Sequence, residues 1–202
     1  MRTPLASLRT NFELLSRNGR LPEAEREGVL GDVIEQLDEL TALVGDIVEL
    51  ALEGDRAEPV DDVRLDELVA AAVGRARRLA PGLRFETRLE PCVISGVPER
   101  IQRAVTNLLD NASKWSPAGG RVEVSVADGE LRVRDDGPGF AERDLPFVFD
   151  RFYRADAARK QPGSGLGLAI VRQVAESHGG SIRAENAEGG GALLRMRFFE
   201  RA

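Results

Sequence analysis

The spacing of apolar residues changes near residue 54, and this change limits the folds that the chain can adopt. Before that point apolar residues recur three and four positions apart, which places them on one face of a helix. The longest such series is Leu30, Val33, Leu37, Leu40, Val44 and Ile47. Beyond residue 60, short segments with strand-like alternation stand between helical ones. The pattern therefore predicts a helical part followed by a part of mixed α and β structure.

Residues 1–53 are predicted to form a helical hairpin. The segment Asn18-Gly19-Arg20-Leu21-Pro22 separates the two helices, because Gly suits the end of a helix and Pro the start of the next. The apolar repeat of the second helix favours a seam with a partner helix, and so a homodimer, although an amphipathic helix packed within its own domain would show the same pattern. At about 1.5 Å per residue the second helix (23–53) would extend about 46 Å and the first (2–17) only about 24 Å. The first helix is therefore expected to be shortened at its N-terminal end.

A polar segment with Gly and Pro, residues 54–60, is predicted to be a linker, and residues 61–202 a second domain. Within that domain the periodicity predicts helices at 65–79, 98–115 and 165–177, and strands at 83–89, 92–95, 122–126, 131–133, 181–185 and 192–199. The strands at 122–126 and 131–133 are expected to form a hairpin around Ala127-Asp128-Gly129. Because helices and strands do not alternate strictly, the domain is predicted to be α+β, a two-layer α/β sandwich.

Charge and composition exclude several classes of function. Lys and Arg number 28 and Asp and Glu 34, which gives a net charge of −6 and a pI near 5.1. General binding of nucleic acid or of an anionic membrane needs a basic face instead. One Cys and one His cannot make an internal disulfide or a His- and Cys-rich metal site. No run of about 18 apolar residues occurs, so no membrane segment and a cytoplasmic location are expected.

Three short clusters carry residue types suited to nucleotide chemistry. Asn107, Asn111 and Lys114 are spaced to share one helical face, where amide oxygens suit Mg²⁺ and an ammonium suits phosphate. Asp135-Asp136-Gly137-Pro138-Gly139 follows a predicted strand, where a carboxylate can accept a hydrogen bond from an exocyclic amine. Gly163-Ser164-Gly165-Leu166-Gly167-Leu168 opens a helix whose free N–H groups favour an anion. Taken alone, each cluster is also explained as a solvated helix face, a tight turn or a helix start.

In order and spacing, these clusters resemble the catalytic half of bacterial two-component sensor histidine kinases. The segment 107–114 resembles the family's N box, 135–139 its first glycine box and 163–168 its second. Phe147-Val-Phe149-Asp-Arg151-Phe152-Tyr153-Arg154 resembles the F box, and His178-Gly179-Gly180 resembles the usual end of the following helix. The resemblance covers about 60–199. It implies a Bergerat-type fold, in which ATP lies between a mixed sheet and a lid formed by residues 137–164.

The resemblance also implies roles for individual residues. Asn111 would ligate Mg²⁺ with support from Asn107, Lys114 would contact the phosphates of ATP, and Asp135 would bind the adenine amino group. Trp115 stands where the family usually has Tyr or Phe and could stack on the base. The other residues expected at the nucleotide lie in the glycine boxes and at the end of the lid: Gly137, Gly139, Arg159, Lys160, Gly163, Gly165, Leu166 and Gly167.

The segment Met1-Arg2-Thr3-Pro4-Leu5 resembles the end of the family's H box, so the phosphoacceptor His and its acidic neighbour would precede Met1. The expected function is that of a protein histidine kinase that binds Mg-ATP and donates the γ-phosphoryl group to a histidine not present in this chain, for relay to a response regulator Asp. His178 is expected to be structural rather than the acceptor, and Cys92 to be a buried apolar residue. Thr3 is a candidate for orienting water when a response regulator is dephosphorylated.

Two alternatives remain open. The hairpin could act without catalysis, by sequestering an intact kinase or a response regulator, and nucleotide binding would then be dispensable. A serine kinase of the same fold, of the anti-sigma type, would need no acceptor His. The helical hairpin and the Arg-Thr-Pro-Leu segment are not expected in that type.

Overall fold

The computed structural model describes residues 59–155 and 163–198, together with Glu13, residues 28–31 and Val33. The chain divides into two compact units, Met1–Gly54 with Gln161–Ser164, and Asp55–Lys160 with Gly165–Ala202. In the first unit the described positions before residue 54 are helical, and Val33 is buried. The predicted hairpin, its dimer seam, most of the predicted linker and Thr3 lie outside the described residues.

The described part of the second unit consists of helices, strands and one short 3-10 helix, Leu145–Phe147. In chain order the main elements are β1 (Asp61–Arg64), α1 (Leu65–Leu79), β2 (Arg84–Leu89), β3 (Val93–Gly96), α2 (Pro98–Trp115), β4 (Arg121–Ala127), β5 (Glu130–Asp135), α3 (Gly167–Ser177), β6 (Ser181–Asn186) and β7 (Ala192–Arg197). The sequence pattern predicts all of these except β1. The prediction that α3 begins at residue 165 is wrong by two residues, because Gly165 has φ +76° and so lies outside the helical region.

The strands form two sheets. β1 and β3 pair antiparallel, while the larger sheet has the order β2-β4-β5-β7-β6. In that sheet β2 runs parallel to β4 and the other neighbours are antiparallel. The predicted β4–β5 hairpin is confirmed: Asp128 and Gly129 both have positive φ, as a two-residue hairpin turn requires.

The larger sheet buries one face beneath the helices. Apart from Asp135 its inward rows are apolar and follow the period of two, with Val122, Val124 and Val126 on β4 opposite Asp135, Val133 and Leu131 on β5. Facing them, α2 buries Ile101, Ala104, Val105, Leu108, Leu109 and Ala112. This arrangement confirms the predicted α+β two-layer sandwich. Among the residues that the structure describes, Asp66 and Asp135 are the only buried polar or charged ones.

Asp66 joins the start of α1 to the segment before β3. Its Oδ1 accepts hydrogen bonds from Arg64 Nε at 3.0 Å and from the Cys92 backbone N–H at 3.2 Å, and its Oδ2 accepts one from an Arg64 terminal nitrogen at 2.6 Å. The paired Arg64 guanidinium, helped by the Cys92 N–H, lowers the pKa of Asp66 to about 2. Cys92 itself is buried, as predicted.

His178 links the end of α3 to the start of α2. Its Nε2 accepts a hydrogen bond from the Val97 N–H at 3.0 Å, while its Nδ1 lies 2.7 Å from the Val174 carbonyl oxygen. These contacts fit a neutral ring with the proton on Nδ1. The next residues turn sharply: a Cβ on Gly180 would lie 1.9 Å from the Arg197 carbonyl oxygen. His178 is therefore part of the packing between two helices, as the sequence predicts.

Within the described residues, no helix combines the length and the apolar composition needed to cross a membrane.

Candidate nucleotide site

Helix α2 carries the predicted N-box residues on the flank of its buried face. Pro98 occupies the first turn of the helix, where its missing N–H costs no hydrogen bond. Asn107, Asn111 and Lys114 are each half-buried, whereas the neighbouring Leu108 and Ala112 are fully covered. The amides and the ammonium are thus held on a rigid element at the edge of the core.

The structure brings the N box and the second glycine box together. A Cβ built on Gly167 would lie 3.7 Å from Asn107 Oδ1, so the first residue of α3 packs directly over the Asn107 amide. Asn107 Nδ2 is buried and has no hydrogen-bond partner among the described residues. A buried amide left without a partner is costly, and a ligand that enters between α2 and α3 would satisfy it.

The start of α3 is arranged to bind an anion. Leu166 stands at the N-cap position and is fully buried, and its apolar side chain makes no capping hydrogen bond to the helix. The first N–H groups of the helix and the helix dipole favour negative charge at this end. Because Gly167 has no side chain, a phosphate could approach the backbone closely there.

Gly165 is fixed by the segment that resembles the F box. Its φ of +76° favours glycine, and a Cβ at this position would lie 2.8 Å from the Tyr153 carbonyl oxygen. The Gly165 carbonyl accepts a hydrogen bond from the Phe152 N–H at 3.0 Å. Phe152 itself has φ +63° and an exposed ring. The F-box segment therefore determines how the chain enters α3.

Asp135 ends β5 with a buried carboxylate. Its Oδ1 accepts hydrogen bonds from the Gly137 N–H at 2.8 Å and from the Ala192 N–H at 3.1 Å. No described residue donates to its Oδ2, which leaves that oxygen for a donor on a ligand. Burial raises the pKa of the Asp135 carboxyl above its ordinary value, and the two N–H donors oppose this shift.

The first glycine box forms a tight turn beside Asp135. A Cβ on Gly137 would lie 2.7 Å from both Asp135 Oδ1 and the Trp115 carbonyl oxygen, so only glycine fits between them. Gly139 has φ +72°. The turn therefore sets the end of α2, which carries Trp115, against the end of β5.

Lys114 and Trp115 lie close together at the end of α2. Lys114 Nζ is 5.7 Å from the centre of the Trp115 ring, within the range of a cation–π contact. An aromatic ring and an ammonium thus lie close to each other at the end of α2, whose last backbone carbonyl borders the Gly137 turn. This pair could receive a base and a phosphate respectively.

The described part of the lid, residues 137–155, is folded around Tyr153. The Tyr153 hydroxyl donates to Asp144 Oδ1 at 2.8 Å, and its ring lies 5.7 Å from that of Phe147. Arg159 and Lys160 lie outside the described residues, so their predicted contact with the γ-phosphate stays a prediction. Gly163 is described and half-buried, with φ +140°.

Two contributions to the site carry no motif that sequence reasoning could detect. One is the Ala192 backbone N–H on Asp135. The other is Asn186, whose side-chain amide exchanges two hydrogen bonds with the backbone of Phe140. A backbone donor has no side-chain signature, and one Asn at the end of a predicted strand indicates only a turn.

The side chains present fit Mg²⁺ held together with a nucleotide. Among the described residues no group of three or more His, Cys, Asp or Glu side chains could hold a metal ion. A cation at this site would depend on amide oxygens and on the phosphates of the ligand, which is a common arrangement for Mg²⁺. The amide oxygens of Asn107 and Asn111, on the same face of α2, are the groups that could meet that requirement, while the unpartnered Asn107 Nδ2 could donate to a phosphate oxygen.

Comparison with known proteins finds one matching family and several relatives. Residues 96–202 match the family "Histidine kinase-, DNA gyrase B-, and HSP90-like ATPase". The signal transduction histidine-protein kinase/phosphatase MprB of Mycobacterium sp. (strain KMS) is 46% identical over 201 residues, which cover 95% of this chain and 39% of that protein. The MprB protein of Mycolicibacterium smegmatis is 45% identical, and 41% of its length is covered. The chain therefore spans about two fifths of the length of these curated relatives.

Two solved structures are also similar. A mycobacterial sensor histidine kinase MprB has 38% identity and a TM-score of 0.64, with 70% of this chain and 100% of that chain covered. The ATP-binding domain of PrrB from Mycobacterium tuberculosis has 30% identity and a TM-score of 0.57, with 71% of this chain and 98% of that chain covered.

Proposed function

This chain belongs to the histidine kinase-, DNA gyrase B- and HSP90-like ATPase family and carries the ATP-binding domain of a bacterial two-component sensor kinase. On this premise we propose that it binds Mg-ATP and donates the γ-phosphoryl group to a histidine outside these 202 residues. From that histidine the phosphoryl group would be relayed to an Asp of a response regulator. The observation that best supports this proposal is the packing of Gly167 over the unpartnered Asn107 amide. It joins a helix start that could receive an anion to an amide whose Nδ2 has no hydrogen-bond partner among the described residues.

In this proposal each part of the nucleotide is bound by a group with complementary chemistry. Asp135 Oδ2 accepts a hydrogen bond from the adenine amino group, and Trp115 stacks on the base. The N–H groups at the start of α3 donate to phosphate oxygens, and Lys114 adds positive charge. Asn111 ligates the cation with support from Asn107, and bound Mg²⁺ would offset the charge on the β- and γ-phosphates.

The transfer step needs little covalent chemistry from this domain. An imidazole nitrogen of the acceptor forms a bond to the γ-phosphorus while the bond from that phosphorus to the β–γ bridging oxygen breaks and ADP leaves. The imidazole proton passes to the acidic neighbour of the acceptor. The domain contributes positioning, electrostatic stabilisation and, through its lid, exclusion of water.

Titration calorimetry with ATP and Mg²⁺ tests the binding half of the proposal. We expect saturable binding by the 202-residue chain and none by an Asn111→Ala variant. Gln102→Ala, on the exposed side of the same helix, is the matched control and should bind as the unaltered chain does. Equal binding by all three proteins would reject the proposed site.

Radiolabelled ATP tests the transfer half. The chain alone should acquire no label that is stable in alkali and lost in acid. A separate helical hairpin that carries His-Glu-Leu-Arg-Thr-Pro-Leu should acquire such label when the chain is added. Failure to label this hairpin, under conditions where ATP binds, would contradict the proposed transfer. The intact mass of the native protein, with a search for an upstream peptide that contains His followed by Glu or Asp, would locate the natural acceptor.

A second candidate activity is dephosphorylation of the response regulator, through water oriented by Thr3. The MprB relatives are named as kinase/phosphatases, which favours it. We also propose that the chain forms a homodimer through residues 1–53. We further propose a cytoplasmic location, where ATP and response regulators occur. Loss of phosphatase activity in Thr3→Ala, with ATP binding unchanged, is the expected result, and retained activity would exclude Thr3.

Sequestration of a kinase or response regulator by the hairpin remains the alternative. It predicts that Asn111→Ala still inhibits signalling when produced in cells, since the nucleotide would play no part. The proposed kinase function predicts that the effect of the unaltered chain on signalling is lost in this variant, because the variant does not bind ATP. One signalling assay therefore separates the two functions.

A further inference from the structure

Asn186 is the last residue of β6, and its side chain holds the backbone of a residue far away in the sequence. Asn186 Oδ1 accepts a hydrogen bond from the Phe140 N–H at 2.7 Å, and Asn186 Nδ2 donates to the Phe140 carbonyl oxygen at 2.9 Å. Both polar groups of the Phe140 backbone are thus bound by a single amide. This pair of bonds fixes the point where the chain leaves the first glycine box.

The same amide lies against Gly139. A Cβ on Gly139 would be 2.6 Å from Asn186 Oδ1 and 3.3 Å from the Gly191 carbonyl oxygen, at a φ of +72°. The glycine therefore allows the turn to approach Asn186 closely enough for the hydrogen bonds to Phe140. The two positions are adapted to each other, although no sequence motif connects them.

Asn186 also lies next to Ala192, whose backbone N–H is the second donor to the Asp135 carboxylate. In the β6–β7 pair Asn186 is directly opposite Ala192, and the Ala192 N–H donates to Asp135 Oδ1. Gly191 packs so closely that a Cβ there would lie 1.8 Å from the Asp135 carbonyl oxygen. The start of the glycine turn is thus held by the Asp135 carboxylate, through Gly137, and its end is held by Asn186.

We propose that Asn186 is a positioning residue for nucleotide binding, which keeps the first glycine turn in register with the Asp135 carboxylate. The inference rests on the proposed ATP site and deepens it. Asn186 touches no ligand in this scheme. It acts through the Phe140 backbone on the part of the site that receives the base, so its loss weakens every adenine-containing ligand by the same factor.

The test compares Asn186→Ala, Asn186→Ser and Asn186→Asp with the unaltered chain, by calorimetric titration with ATP, ADP and adenosine. Ala makes neither hydrogen bond, Ser can make one, and Asp keeps the acceptor but loses the donor. We expect the dissociation constant to rise about tenfold for Ala and by less for Ser and Asp, with the same ratio for all three ligands. Ser181→Ala, at the exposed start of the same strand, is the matched control.

The outcomes separate this inference from the proposed function. If the unaltered chain fails to bind ATP, the proposed function fails. If it binds ATP and Asn186→Ala binds equally well, only the role of Asn186 is refuted. A fall in melting temperature with unchanged affinity in Asn186→Ala would show a purely structural residue. Should Asn186→Ala fail to fold, the graded Ser and Asp variants still decide, because a positioning role requires their affinities to lie below that of the unaltered chain.

Discussion

Gly167 and Asn107 belong to different helices, yet a Cβ on Gly167 would lie 3.7 Å from Asn107 Oδ1. This distance is an ordinary van der Waals contact, so the backbone does not exclude a methyl group at this position. The space above Asn107 is nevertheless where the proposed phosphate would approach the helix start. Folding and ligand binding therefore place different demands on the same residue.

Gly167→Ala should separate these demands. Ala is a better helix former than Gly, and although the gain is small at the first residue of a helix, the melting temperature should not fall. The added methyl should raise the dissociation constant for ATP at least about tenfold, because it occupies the approach to the N–H groups. Calorimetric titration and thermal unfolding of the same preparation check both results. Unchanged ATP affinity would place the phosphates elsewhere.

Asp135→Asn is expected to stabilise the protein and to weaken ATP binding. The folded-state pKa of Asp135 is raised, so the unfolded chain releases this proton at lower pH than the folded chain does. Ionisation of Asp135 therefore costs folding free energy at neutral pH, and a neutral amide removes that cost. The amide keeps an acceptor for Gly137 and Ala192 but puts a donor where the adenine amino group would donate. A higher melting temperature at pH 7 with lost ATP binding is the expected pair of results.

Asp66→Asn should change the acid stability of the fold. The folded-state pKa of Asp66 is about 2, against an ordinary value of 3.8. Its contribution is complete above about pH 4 and is lost as the pH falls towards 2. We expect Asp66→Asn to lower the free energy of unfolding at pH 7 by about 1–2 kcal/mol. The loss is modest because Arg64 is partly exposed. The substitution should also flatten the decline of stability between pH 4 and 2. Urea unfolding across this range checks it, with Glu142→Gln, at an exposed position away from Arg64, as the control. An unaltered pH profile would rule out the Arg64 pair as the cause.

His178→Ala should lower stability without removing the nucleotide site. The substitution leaves the Val97 N–H without its acceptor, which costs about 1–3 kcal/mol. His178 contacts the start of α2 and the end of α3, whereas Asn107 lies farther along α2 and Gly167 lies at the opposite end of α3. The expected result is a lower melting temperature and an ATP dissociation constant within about threefold of the unaltered chain, which a tenfold or larger change would contradict.

Two glycines far from the site offer a contrast in packing. A Cβ on Gly180 would lie 1.9 Å from the Arg197 carbonyl oxygen, while a Cβ on Gly74, inside α1, would meet no atom within 4 Å. Gly180→Ala should therefore prevent or strongly weaken folding. Gly74→Ala should stabilise the fold by about 0.5–1 kcal/mol, as measured by urea unfolding. A destabilising Gly74→Ala would point to a partner for this face of α1.

Elements with strong local signals could be predicted from the sequence. The helix at 98–115 combines a Pro at its start with a continuous apolar face, and the hairpin at 128–129 has the turn residues that its geometry needs. The four-residue β1 has no such signal, because two Asp residues occupy half of it. The parallel pairing of β2 with β4 depends on packing between distant segments, which local periodicity does not report.

The site divides in the same way. The residues with chemical side chains or glycine patterns, such as Asn107 and Asp135, could be found from their spacing and from the family resemblance. The Ala192 N–H and the Asn186 amide could not, since they matter only through neighbours that the fold supplies. The sequence thus indicates the groups that are proposed to face a ligand, but it does not indicate the groups that hold them in place.

The last hairpin of the domain has a consequence for synthesis on the ribosome. A nascent chain that ends after α3 already contains the N box and both glycine boxes. It still lacks Asn186 and the Ala192 N–H, which belong to β6 and β7. Only when these strands have emerged can the Ala192 N–H donate to the Asp135 carboxylate and the Asn186 amide bond to the Phe140 backbone. During vectorial synthesis, the proposed adenine site is therefore completed only after every segment that would contact the nucleotide has been made.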